Sequence, residues 1–109
     1  MRLQDMFRLG GKVALVTGGG RGIGKFIAEG LAEAGADLVL ASRKMKNLEA
    51  AAEEIRRNFG VRVLPVACDM GKPEEIDAMI RTVLAEFSRI DILVNNAGAS
   101  WGAPTLEFP

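Results

Sequence analysis

The chain has 109 residues, 49% of them hydrophobic, so it can form one modest domain with a buried core and is not intrinsically disordered. Its 14 basic and 14 acidic residues balance to zero net charge, and the basic residues are scattered, so we expect neither nucleic acid nor a membrane surface as a partner. A single cysteine, Cys68, excludes an internal disulfide, and no run of transmembrane length and no signal-peptide pattern is visible, so we expect a cytoplasmic protein.

The first predicted element is a β-strand from Val13 to Thr17, and it ends in a glycine-rich stretch at residues 18–24. A helix is predicted over residues 22–34, with apolar residues at helical spacing: Ile23, Phe26, Ile27, Leu31 and Ala34. Unpaired N–H groups and the helix dipole stabilise an anion at a helix start, and glycines let it come close to the backbone. The strand, turn and helix therefore predict a phosphate site.

Three interpretations of the glycines compete. The first is a loop without a special role, which the well-patterned flanking elements disfavour. The second is a Walker-A nucleotide loop, since Gly19 to Lys25 reads G-x-x-x-x-G-K, but Phe26 stands where the Mg²⁺-binding hydroxyl belongs. The third, which we favour, is a dinucleotide-binding turn, although G-x-G-x-x-G is absent.

The rest of the chain alternates strands and helices. Strands are predicted over residues 37–41, 61–67 and 91–95, with a helix before each of the last two. The predicted core-facing positions of these two helices are Met45, Leu48, Ala52, Ile55, Phe59, and Ile76, Met79, Ile80, Val83, Leu84, Phe87. This alternation predicts an α/β fold with a doubly wound parallel sheet, strand order 3-2-1-4, in three α/β/α layers.

Two motifs carry a resemblance to a known family. Thr17, Gly18, Gly22 and Gly24 have the spacing T-G-x-x-x-G-x-G, and residues 95–98 read N-N-A-G. On both motifs the chain resembles the short-chain dehydrogenase/reductase family, classical type, over almost its whole length. The resemblance implies a Rossmann-like domain and hydride transfer between a nicotinamide cofactor and a carbonyl compound or secondary alcohol.

The end of the second strand indicates the cofactor. An acid there would accept from the ribose of NAD, whereas an arginine accommodates the 2′-phosphate of NADP. The chain has Ser42 and Arg43 at this point, Asp37 is at the opposite end, and Arg21 adds a second positive charge. We therefore favour NADP(H) over NAD(H), the alternative being that both arginines are solvated surface residues.

The resemblance extends to other residues near the carboxyl ends of the strands. It implies that Asp69 meets the adenine ring with Met70 packing nearby, that residues 96–98 line the ribose, and that Asn95 is structural. Asp69 could instead be a turn or cap residue, and Cys68 is interpreted as a small buried apolar residue. The predicted cofactor-binding residues are Gly18, Gly20, Arg21, Gly22, Ile23, Gly24, Ser42, Arg43, Asp69, Met70, Asn96, Ala97 and Gly98.

The family's catalytic residues are a Ser, a Tyr and a Lys, and this sequence contains no Tyr. We therefore assign no catalytic residue, and we expect no metal site. The fourth strand is apolar on both faces yet would be an exposed edge. Residues 1–109 are thus expected to be the cofactor-binding part of one domain whose catalytic half is absent, and which is a homo-oligomer when complete.

Two further possibilities stay open. Ser100, Trp101 and Gly102 resemble the corresponding residues of some 3-oxoacyl reductases, although Trp101 could equally be ordinary packing. The other class of function is a dinucleotide-binding module without chemistry, or an inactive fragment.

Overall fold

The computed structural model describes residues 8–20 and 22–96. Strands and helices alternate strictly in this part of the chain, in the order β1 (Val13–Thr17), α1 (Gly22–Glu33), β2 (Asp37–Ser42), α2 (Met45–Phe59), β3 (Val63–Ala67), α3 (Pro73–Phe87) and β4 (Ile92–Asn95). The four strands are parallel and lie in the order β3-β2-β1-β4. This confirms the predicted fold class and strand order.

A hydrophobic cluster lies on each face of the sheet. On one face α1 and α2 pack against β1 and β2, through Ala28, Ala32, Leu48 and Ile55 among others. On the opposite face α3 packs against the same strands through Met79 and Val83. The central strands are buried on both sides, as expected for a parallel sheet covered by helices, and the result is a three-layer structure.

The buried face of α1 differs from the prediction. Gly24, Ala28 and Ala32 face the sheet, whereas Ile23 is 70% and Phe26 75% exposed. The reason is the close approach of α1 to the end of β1: a Cβ on Gly24 would stand 2.1 Å from the carbonyl oxygen of Gly18. No side chain fits at Gly24, so this end of α1 turns small residues to the sheet and leaves Ile23 and Phe26 outside, whereas Leu31, further along the helix, is partly buried against the core.

The ends of α2 and α3 follow local rules. Gly60 ends α2 in the left-handed conformation, at φ 70°, and its N–H donates to the Arg56 carbonyl over 2.9 Å. Pro73 begins α3, with Glu74 and Glu75 in the first turn. Within residues 8–20 and 22–96, no helix has both the length and the apolarity needed to cross a bilayer.

Strands β3 and β4 form the two edges of the sheet within the described residues. β3 begins at Val63, two residues later than predicted, and it accommodates Pro65 because an edge strand can spare one N–H donor. Leu93, in β4, lies in register with the buried Leu15 but is itself 64% exposed. In the described part of the chain, an apolar side chain of β4 is therefore open to solvent.

Candidate cofactor site

The carboxyl ends of the strands bring the predicted site segments to one edge of the sheet. Thr17, the last residue of β1, is in register with Ala41 in β2 and with Asn95 in β4. The predicted site segments that the structure describes lie at or just after strand ends on this edge: the glycine turn, Ser42, Arg43, Asp69, Met70 and Asn96. Arg21, Ala97 and Gly98 lie outside the described residues, as do Ser100, Trp101 and Gly102.

The glycine turn, residues 18–24, needs glycine for two different reasons. Gly18 and Gly22 adopt φ values of 70° and 63°, which side chains disfavour. Gly24 instead allows α1 to start directly against the Gly18 carbonyl. The turn is also held to the neighbouring strand, because the Gly18 N–H donates to the Ala41 carbonyl over 2.7 Å. The first turn of α1 therefore begins directly beside the end of β1, and Gly18, Gly22 and Gly24 carry no side chain that would keep an anion from the backbone there.

Asn96 packs into the space left by Gly24. Its Nδ2 lies 2.9 Å from the position that a Cβ on Gly24 would take. The first residue after β4 is therefore in contact with the first turn of α1. The two sequence motifs meet here in space, a contact that neither spacing alone indicates.

Thr17 fixes the position of Asn96. Its side chain is fully buried, and its Oγ1 accepts a hydrogen bond from the Asn96 N–H over 2.8 Å. The hydroxyl can donate either to the Val94 carbonyl, at 3.3 Å, or to Asn95 Oδ1, at 3.2 Å. Thr17 thus joins the ends of β1 and β4. In the sequence Thr17 is recognised only as part of the T-G-x-x-x-G-x-G motif, and its position opposite Asn95 in a parallel pair of strands was the signal that could have revealed this role.

The end of β2 carries positive charge. Arg43 and Lys44 are exposed, Ser42 is half-buried, and Ser42 Oγ lies 3.4 Å from the Lys44 N–H that donates to it. No acidic residue occurs between Ser42 and Leu48. Asp37 is at the opposite end of β2, where its Oδ1 accepts the Arg62 N–H over 2.9 Å. An anion near Arg43 would meet no carboxylate from these residues.

Asp69 organises its own turn. Its Oδ1 accepts the Gly71 N–H over 2.9 Å, while its own N–H donates to Glu75 Oε1 over 2.9 Å. The role of Asp69 in this turn therefore uses one carboxylate oxygen, Oδ1. Among the described residues Oδ2 has no such partner, so a ligand can donate a hydrogen bond to it. Glu75, recognised in the sequence only as an acid of the first turn of α3, holds the Asp69 turn against the start of that helix.

Cys68 and Met70 pack beside that turn. The Cys68 thiol is buried, and its Sγ lies 3.7 Å from the Met70 sulfur. Burial, together with the carboxylates of Glu75 and Asp69, raises the pKa of the Cys68 thiol. A protonated, buried thiol is a poor nucleophile, which agrees with a packing role for Cys68.

Lys25 is held by α2. Its Nζ lies 2.6 Å from Glu54 Oε2, and this hydrogen bond is the main reason that the pKa of Lys25 is raised. In a Walker-A loop the lysine must contact phosphate. The ion pair directs Lys25 toward α2 instead, which, with Phe26 in place of the hydroxyl, argues against a nucleoside triphosphate site.

Known proteins share both this sequence and this fold. The model of the short chain dehydrogenase family matches residues 12–109. The chain is 47% identical over 96 residues to an uncharacterized oxidoreductase of Mycobacterium tuberculosis, covering 88% of this chain and 36% of that protein. It is 44% identical over 100 residues to the peroxisomal 2,4-dienoyl-CoA reductase of Danio rerio, covering 92% of this chain and 33% of that protein.

Among solved structures, L-sorbose reductase from Gluconobacter frateurii, complexed with NADPH and L-sorbose, superposes with a TM-score of 0.83 at 45% identity. The match covers 94% of this chain and 39% of that one. The chain thus spans between a third and two fifths of the length of these proteins. On the matched motifs, the strand order and these similarities, the chain belongs to the short-chain dehydrogenase/reductase family.

Proposed function

We propose that this chain provides the NADP(H)-binding part of an oxidoreductase that transfers hydride to or from a carbonyl compound or secondary alcohol. The observation that carries the proposal is the contact between Gly24 and the Gly18 carbonyl. Because Gly24 has no side chain, the first turn of α1 lies directly against the Gly18 carbonyl, where any Cβ would collide, and the backbone of the turn and the helix start lie side by side. Backbone N–H groups and the helix dipole at such a start favour a diphosphate.

Each part of the cofactor has a candidate partner at this edge of the sheet. The turn, including Arg21, would hold the diphosphate, and Ser42 with Arg43 would hold the 2′-phosphate. Asp69 and Met70 would contact the adenine. The cofactor ribose would lie against Asn96, Ala97 and Gly98, and Ile23 would border the turn. The bound cofactor would supply the hydride in reduction and accept it in oxidation, and these residues would bind and orient the cofactor.

The proposal for the whole protein goes beyond these residues. The Ser-Tyr-Lys set of the family would have to be supplied elsewhere in the protein, since the 109 residues contain no Tyr. The proteins compared above act, by their names, on substrates as different as a dienoyl-CoA and a sugar, so we name only the substrate class. We place the enzyme in the cytoplasm, as a homo-oligomer.

The cofactor preference is tested by Arg43→Ala in the full-length gene product. Losing a charge-assisted contact to phosphate costs about 1.5–3 kcal/mol, or roughly 10- to 150-fold in affinity. We expect that loss for NADPH and little change for NADH, measured by fluorescence titration of each cofactor. Arg81→Ala, at an exposed position on α3, is the matched control and should leave both affinities unchanged. Equal losses for the two cofactors would show that Arg43 does not recognise the 2′-phosphate.

A second candidate is a dinucleotide-binding module without chemistry, favoured by the absence of Tyr from the sequence. The two candidate functions predict different catalytic activity, because only the oxidoreductase converts a substrate. The full-length gene product should oxidise NADPH in the presence of some members of a panel of ketones and aldehydes. Tight NADPH binding with no turnover on any member of the panel would favour the non-catalytic module.

A further inference from the structure

The glycine turn has a second neighbour besides the strands, the first turn of α2. A Cβ on Gly20 would stand 3.2 Å from the Cβ of Asn47 and 3.4 Å from its carbonyl carbon. Asn47 is half-buried at this contact. With the Gly18 N–H donating to the Ala41 carbonyl at the other end, the turn lies between β2 and α2, and Asn47, four residues after Arg43, borders it on the α2 side.

The charged residues between the end of β2 and Asn47 are all cations, and the first acid that follows is the exposed Glu49. Arg43, Lys44 and Lys46 are exposed cations. Asn47 is the third residue of α2, a position at which a carboxylate stabilises a helix, yet the first turn of α2 contains no acid. In α3 the corresponding position is occupied by Glu75. The helix-stabilising carboxylate is therefore missing from the first turn of α2, which borders the glycine turn.

We propose that Asn47 is a specificity-determining residue of the cofactor site, and that its neutral side chain allows a phosphorylated ribose to bind between the glycine turn and Arg43. This inference rests on the proposed NADP(H) function. A carboxylate on the Asn47 Cβ would add a negative charge beside the glycine turn and would repel the 2′-phosphate. NAD lacks the 2′-phosphate and shares only the diphosphate in the turn, so a carboxylate at position 47 would weaken NAD binding less than NADP binding.

Asn47→Asp tests this, because it changes charge while hardly changing shape. In the full-length gene product we expect about tenfold weaker binding of NADP⁺, a loss of NAD⁺ affinity of no more than about threefold, and a Tm at or above that of wild type. Two controls separate charge from position. Asn47→Ser keeps a neutral polar side chain, and Asn58→Asp adds the same charge at an exposed position near the other end of α2. Both should keep the wild-type ratio of the two affinities.

The outcomes distinguish the two proposals. Unchanged NADP⁺ affinity in Asn47→Asp, an equal loss for both cofactors, or the same effect from Asn58→Asp would overturn the role of Asn47 while leaving the proposed function intact. A wild-type protein that binds neither cofactor, or shows no preference for NADP⁺, would overturn the proposed function, and this inference with it.

Discussion

At the scale of single residues, Gly24 is constrained by the Gly18 carbonyl and by Asn96 Nδ2, which lie 2.1 Å and 2.9 Å from where its Cβ would be. Gly24→Ala must push α1 away from β1, and we expect the free energy of unfolding to fall by about 1–3 kcal/mol, as for other overpacked positions. Cofactor binding should weaken as well, because the same displacement moves the backbone donors. Urea denaturation and NADPH titration measure the two effects.

Gly30→Ala is the matched control for Gly24. Gly30 lies in the same helix, and nothing is within 4 Å of the position of its Cβ. Since alanine is the better helix former, Gly30→Ala should stabilise the protein by about 0.5–1 kcal/mol. A Gly24→Ala variant as stable as Gly30→Ala would show that α1 does not lie as close to the end of β1 as described.

At the scale of elements, the amino-terminal ends of β1 and β4 are joined by a carboxylate. Asp91 Oδ2 accepts the Val13 N–H over 2.8 Å, and the Asp91 N–H donates to the Val13 carbonyl over 2.8 Å. The Arg89 guanidinium, followed by the Val13 hydrogen bond, lowers the pKa of Asp91 below its usual value. The contribution of this group to stability is therefore present above its unfolded pKa and is lost as the pH falls through the lower folded pKa.

Asp91→Asn should remove that part of the pH dependence. The urea midpoint of the wild type is expected to drop more steeply than that of Asp91→Asn between about pH 5 and pH 2, since the unfolded carboxyl titrates near 3.9. Parallel pH profiles for the two proteins would mean that the Asp91 carboxylate does not join the strands.

The elements themselves were predicted to different degrees. In α2 the predicted apolar positions are buried or partly buried, because ordinary packing of large side chains against the sheet governs that helix. In α1 the helical spacing predicts the helix correctly, but it places Ile23 and Phe26 on the buried face, whereas both side chains are exposed. The spacing shows only that apolar residues recur at helical intervals. Which face is buried depends on how closely the backbone of α1 approaches Gly18, and this distance cannot be read from the spacing.

At the scale of the whole molecule, the alternation of strands and helices was enough to predict that the site segments lie together. Consecutive parallel strands joined by helices must carry their carboxyl ends to one edge, so Gly18, Arg43, Asp69 and Asn96 could be placed there from the sequence. The contacts of Thr17 with Asn96 and of Gly20 with Asn47 could not be placed in the same way. They depend on side-chain packing between segments that are distant in the sequence.

The exposed face of β4 gives a prediction for the polypeptide of residues 1–109 expressed alone. Leu93 is 64% exposed, and an apolar strand edge is a template for association. We expect this polypeptide to self-associate and to bind cofactor poorly, and Leu93→Lys to reduce the association, as measured by analytical ultracentrifugation. A monodisperse monomer that binds NADPH tightly would contradict this expectation.

The central claim is that the turn from Gly18 to Gly24 binds the cofactor diphosphate while Arg43 contacts the 2′-phosphate. A crystal structure of the full-length gene product soaked with NADP⁺ measures this directly. We expect the diphosphate within hydrogen-bond distance of backbone N–H groups of the turn and the 2′-phosphate beside the Arg43 guanidinium. A cofactor bound elsewhere, or a turn occupied by side chains from another part of the molecule, would contradict the account.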